Sequence, residues 1–203
     1  MSEMSFPSIL MFLEGTMERL FINNNFHYIT VVPLKNGRDV PISFLCKFME
    51  STLRLRGVYD LVIVWLDREE RGEEAEDIAR LMRESLLNQG IAPDKVFVGV
   101  ADRMTENWIL ADEELITQFF ELEKYTYTFE GAYGVGKLED LFKEAGRPYR
   151  KTTDGVLLLK KRRLREAAKR SASARCFIEH LNIDCWWLTE RALDTVNENA
   201  GAQ

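Results

Sequence analysis

Glu14, Asp67 and Glu69 have side chains and positions that suggest shared chemistry. Each follows a short apolar run, Ser8–Leu13 (SILMFL) for Glu14 and Leu61–Leu66 (LVIVWL) for the other two. The second run is β-branched and unalternated, as expected of a strand covered on both faces of a parallel sheet. In open α/β sheets ligands bind beyond the carboxyl ends of the strands. Carboxylates placed there can hold a hard divalent cation through oxygen. Two plainer roles stay open: Asp67 can end its strand and cap the next helix, and Glu14 can simply precede the Gly15-Thr16 turn.

The elements that must position these groups alternate in type. Ser8–Leu13, His27–Leu34, Leu61–Leu66 and Asp94–Val100 read as strands. Between them, Met17, Leu20 and Phe21 share one helical face. Ile42–Arg56 and Glu73–Asn88 carry longer apolar stripes. The order β-α-β-α-β-α-β predicts an α/β fold with a mainly parallel sheet, helices on both faces and right-handed crossovers. Beyond it, Glu106–Phe120 reads as a helix capped by Thr105, and Lys137–Ala145 as another. A basic helix is expected from about Asp154, then a helix over Ala172–Leu181, with Trp186–Leu188 packing back on the core. The expected division is a 1–125 α/β domain with a 126–203 basic helical extension packed on it as one compact unit.

The 203 residues suffice for one good core with a small appendage. Hydrophobic residues are 46% and charged residues 30% of the chain, the balance of a soluble globular protein. No apolar run reaches the roughly 20 residues of a membrane span, and no secretory signal pattern opens the chain. Cys46, Cys176 and Cys185 are scattered, as reduced cytosolic thiols would be, so a cytoplasmic location is expected. Zinc-finger spacing is lacking, and His27 reads as a packing or surface residue.

The net charge of −6 argues against a general polyanion binder, but the charge is uneven. Lys160–Arg175 holds eight Lys and Arg residues against Glu166 alone, whereas Glu106–Glu123 is strongly acidic. Such asymmetry marks either a nucleic-acid or partner surface or a solvated helix face. EGAYGVGK, at Glu130–Lys137, has the wrong glycine spacing for a phosphate-binding loop. It reads instead as a flexible lead into the next helix.

Glu14-Gly15 after one strand and Asp67-Arg68-Glu69 after a later one resemble the two signatures of TOPRIM domains. These are the metal-dependent domains of topoisomerases, primases and overcoming-lysogenization-defect nucleases. The chain is more specifically similar to small bacterial TOPRIM-like proteins encoded beside AAA or ABC-type ATPases in anti-phage loci. The Glu14–Glu18 start, the Glu106–Asp112 segment (E-x-W-x-x-A-D) and the Tyr149–Asp154 stretch (Y-x-K-x-x-D) carry that likeness. Two positions depart from the pattern. Glu69 stands where the second aspartate is expected, and Arg71 stands where some TOPRIM enzymes carry another acid and would repel a second metal ion.

The resemblance implies a TOPRIM-like, Rossmann-like fold and a Mg²⁺- or Mn²⁺-dependent phosphodiesterase or nuclease. Asp67 and Glu69 would hold the metal. Glu14 would act as base, acid or further ligand, and Glu106 would complete the site. Lys151 would neutralise the phosphate. Lys160, Arg162, Arg165 and Lys169 would grip a nucleic-acid backbone without reading bases. Two alternatives go with it: a catalytically inactive adaptor bound to an ATPase partner, and a metal-dependent phosphohydrolase acting on small nucleotides.

Overall fold

A computed structural model describes residues 8–14, 29–34, 40–128 and 130–180. The expected helix through Met17 and Phe21, His27 and Trp186–Leu188 lie outside these residues.

The chain forms two compact units that meet in sequence between Val100 and Ala101. In the first, strands β1 (Ile9–Glu14), β2 (Ile29–Leu34), β3 (Leu61–Asp67) and β4 (Val96–Ala101) form one sheet in the order β2-β1-β3-β4. β1 runs parallel to both neighbours, with Leu13 opposite Pro33 on one side and Trp65 on the other. Helices α1 (Ile42–Arg56) and α2 (Ala75–Leu87) connect β2 to β3 and β3 to β4. Both connections step the same way across the sheet, so right-handed crossovers put both helices on one face. The core agrees. Leu45, Met49, Ile78 and Met82 pack with Phe12, Val64, Leu66 and Val98, which alternate along their strands. Ser85 Oγ of α2 donates to Glu50 Oε1 of α1 at 2.8 Å and joins the two helices.

The unbroken apolar run of β3 is explained by burial on both faces, since Val62 through Leu66 are all at most 2% exposed. β2 lies at the sheet edge and is less covered. Pro33 is tolerated there because an edge strand can spare an N–H.

The second unit is helical: α3 (Glu106–Leu110), α4 (Glu113–Phe119), α5 (Gly134–Glu144), a single π-turn at Lys151–Gly155, α6 (Val156–Lys161), α7 (Leu164–Ala168) and α8 (Ala172–His180). Its centre is Trp108, fully buried, stacked on Phe177 at 5.4 Å and donating from Nε1 to Ser173 Oγ at 2.8 Å. Residues 101–125 group with the helical half. The expected Glu106–Phe120 helix is two helices. Asp112 turns inward between them and accepts from Leu115 N, capping α4.

Gly134 starts α5 directly against Asn107, where an added Cβ would collide with the Asn107 side chain. The glycine of that stretch is therefore a packing device, not part of a flexible lead. Among the described residues no helix is long and apolar enough to cross a membrane.

Candidate functional site

Parallel pairing of β1 with β3 brings their carboxyl ends to one edge, and with them Glu14 and Asp67. The connection leaving β1 crosses the sheet one way and those leaving β2 and β3 cross the other. The seam between β1 and β3 is therefore the topological switch point, where α/β sheets open a crevice for ligands. Glu14 is 2% exposed and Asp67 6%. Asp67 N donates to Glu14 Oε2 at 2.9 Å, which aims that carboxylate across the seam. Glu14 Oε1 is buried without a hydrogen-bond partner.

Burial pushes the Glu14 carboxyl up to about 9. The Asp67 carboxylate adds to the shift, as does Glu69, while the Asp67 N–H bond and Arg71 pull it down. Glu69 sits just past β3 in the left-handed region, with φ of 53°. Arg71 is buried and donates from one guanidinium nitrogen to Asp67 O at 2.9 Å and Arg68 O at 3.2 Å. It thereby staples the turn that carries Asp67 and Glu69. The same cation lies close enough to favour an ionised Glu14.

Among the described residues no group of three His, Cys, Asp or Glu side chains is placed to hold a metal ion. Mg²⁺ does not require three, because it commonly takes one or two carboxylates and fills its octahedron with water and phosphate oxygens. Glu14 Oε1 is a buried acceptor atom of that kind, and Asp67 stands beside it. The pair supplies oxygen donors of the kind such a sparsely liganded ion takes.

Glu106 belongs to the second unit. It is 3% exposed, and its Oε1 lies 3.2 Å from Lys151 Nζ. The Tyr149 hydroxyl is buried without a hydrogen-bond partner, and burial, then Glu106, Asp154 and Glu139, hold the phenol above its usual range. Asp154 accepts from Arg147 at 2.8 Å and from Arg150 N at 2.7 Å, locking the turn that presents Lys151. Tyr149 and Asp154 were visible beforehand only as spacing within the Y-x-K-x-x-D stretch.

The basic run is not one helix. Arg162 is extended, with φ −62° and ψ 137°, and separates α6 from α7. The expectation of one basic helix from about Asp154 that presents Arg162 to a nucleic-acid backbone is therefore corrected. Arg162 is 5% exposed with its guanidinium 5.9 Å from the Trp108 ring centre, and burial lowers its pKa to about 9. Lys160 closes α6 half-buried, Arg165 is exposed on α7, and Lys169 pairs with Glu166 at 2.7 Å.

The acidic and basic runs pair with each other. Arg163 bonds Asp112 at 3.0 Å and Glu114 at 2.7 Å, and Arg170 bonds Glu113 at 2.8 Å. Much of the charge asymmetry in the sequence is thus satisfied inside the second unit. Arg162→Glu should cost more than about 3 kcal/mol, because it buries an anion near Asp112. Arg165→Glu on the exposed face should stay within about 0.5 kcal/mol. Urea unfolding of the two variants checks the contrast, and equal losses would contradict the burial of Arg162.

Compared with known proteins, the chain has no significant match to a family model, a curated protein or a solved structure.

Proposed function

We propose that this chain is a TOPRIM-like phosphodiesterase that uses Mg²⁺ or Mn²⁺ at the β1/β3 seam to cleave nucleic acid. The observation that carries the reading is the pairing of Glu14 with Asp67 at the switch point, with Glu14 Oε1 buried and lacking a hydrogen-bond partner. Glu14 and Asp67 would hold the ion, with Glu69 able to join from the following turn. When bound, such an ion polarises a phosphodiester and steadies the leaving oxygen.

The chain's own residues do the rest. The Asp67 N–H fixes one Glu14 oxygen and leaves the other buried without a hydrogen-bond partner. Arg71 holds the Asp67 carbonyl and so ties down the turn that carries Asp67 and Glu69. Arg165, exposed on α7, would meet a phosphate backbone directly, whereas Lys169 would do so only by exchanging Glu166. Lys151 is held at Glu106 and would meet a phosphate only by exchanging that partner. By its resemblance to small TOPRIM-like proteins often encoded beside AAA or ABC-type ATPases, the proposal extends to a role in anti-phage defence with such a partner.

A second reading, a catalytically inactive adaptor for an ATPase, draws on Arg71. Its buried guanidinium already supplies positive charge beside Glu14.

The test is cleavage of single- and double-stranded DNA, RNA and tRNA with Mg²⁺ or Mn²⁺. Asp67→Asn should lower the rate by roughly 10²-fold or more. Mn²⁺ binding, read by electron paramagnetic resonance, should weaken in the same variant. Metal binding without polynucleotide cleavage but with release of phosphate from free nucleotides would favour the small-nucleotide phosphohydrolase. Neither metal binding nor cleavage would leave the adaptor.

A further inference from the structure

Helix α1 carries an apolar stripe that the fold does not use. Phe44 is 48% exposed, Phe48 37% and Leu55 87%, and Val58 just beyond the helix is 97% exposed. At 100° per residue, Phe44, Phe48, Ser51 and Leu55 fall within one narrow arc, while Leu45, Met49 and Leu53 point into the core. Lys47 and Arg54 flank the arc on one side, and both are exposed. Glu50 is the only acid on the helix, and it is half-buried and occupied by Ser85.

Where the stripe ends, the surface becomes concave. A pocket of about 410 Å³ opens between the end of α1, the start of β3 and the segment before β4, lined by Arg54, Val58, Tyr59, Ile91 and Lys95 among others. It lies at the amino-terminal edge of the sheet, away from Glu14 and Asp67.

We infer that α1 and this pocket form a docking surface for an acidic amphipathic helix of a partner protein. Half-exposed aromatics beside cations are the residue types that anchor protein interfaces. A helix laid along α1 would set apolar side chains against Phe44, Phe48 and Leu55 and carboxylates against Lys47 and Arg54. One apolar side chain of that helix would fill the pocket, where Arg54 and Lys95 meet its neighbouring acids. A flat bilayer cannot fill a concave pocket. A second copy of this chain docked face to face would set Lys47 and Arg54 against the same cations. The inference does not depend on the metal-site proposal, because the two surfaces share no residue.

The experiment is selection of displayed random 16-residue peptides on the full chain, with a counter-selection on the Phe48→Ser/Leu55→Ser variant. Enriched peptides should place Leu, Phe or Trp at helical spacing among Asp and Glu. Their affinity should fall roughly tenfold or more in the variant, and fall again in Lys47→Glu/Arg54→Glu. Far-UV circular dichroism should show both variants folded at the assay temperature, with a modest loss of melting temperature in the serine variant from the part of Phe48 that is buried. Failure to enrich acidic peptides, or enrichment of peptides that bind the variants equally well, overturns the inference. Binding to vesicles containing phosphatidylserine that both variants lose, with no peptide selected, overturns it in favour of a membrane surface. A dimer that dissociates in the Phe48→Ser/Leu55→Ser variant overturns it in favour of self-association.

Discussion

Without added metal, Glu14→Gln protein should melt above wild type, by a margin that widens as pH rises. The folded Glu14 carboxyl is pushed up to about 9 from an ordinary value of 4.5. Between those two values the folded chain binds a proton that the unfolded chain has released. Stability associated with this group is therefore fully present below pH 4.5 and is lost as pH climbs through 9. A shift of that size corresponds to a penalty on the order of 5 kcal/mol at the upper end. Gln keeps an oxygen for the Asp67 N–H and cannot ionise, so it escapes the penalty. The gap should be near zero below pH 4.5 and reach roughly 10 °C near pH 9. Differential scanning calorimetry across this range checks it, and parallel profiles would mean that Glu14 is not the group responsible. Millimolar Mg²⁺ should flatten the wild-type slope, because a cation replaces the proton as the stabilising charge.

Asp112→Ala should cause the second large effect, a loss of about 3–5 kcal/mol. Asp112 is wholly buried, and its two oxygens serve Leu115 N at 3.2 Å, Arg163 N at 2.9 Å and the Arg163 guanidinium. The guanidinium is partly exposed, so solvent screening reduces its share. Most of the loss comes from the buried Leu115 N–H and the part-buried Arg163 N–H left without this acceptor. Urea unfolding should show a lower midpoint with an unchanged slope. Asp112→Asn, which can still accept at Leu115 N, should fall between alanine and wild type. An alanine variant within about 1 kcal/mol of wild type would refute the structural role.

These two carboxylates differ in how much of their setting a reader of the sequence can see. Glu14 and Asp67 each follow an apolar run directly, so their place at a strand end is local information. Parallel pairing is inferred from helices alternating with strands. The register that sets Leu13 against Trp65 is long-range, and no local pattern encodes it. Asp112 and Arg163 are harder still. A count of charges along the chain shows an acidic run and a basic run, but not that Asp112, Glu113 and Glu114 are partners of Arg163 and Arg170. The break at Arg162 leaves no mark in the basic run, because it carries neither glycine nor proline. Asp112 did carry a usable signal, an Asp followed by Glu-Glu-Leu, which is an ordinary helix start.

The strand order also has a consequence for how the chain is made. β1 is an interior strand, yet only one of its two neighbours is close in sequence. Ile9 must wait for Leu61 before its second side is paired. On a ribosome adding roughly 5–20 residues per second, that interval lasts several seconds. During it the emerging N-terminal strand has β2 on one side and an open row of peptide groups on the other. Premature pairing with another nascent chain would occur at that row. Synthesis slowed between Pro41 and Asp60 should therefore raise aggregation more than an equal pause placed after Ala101.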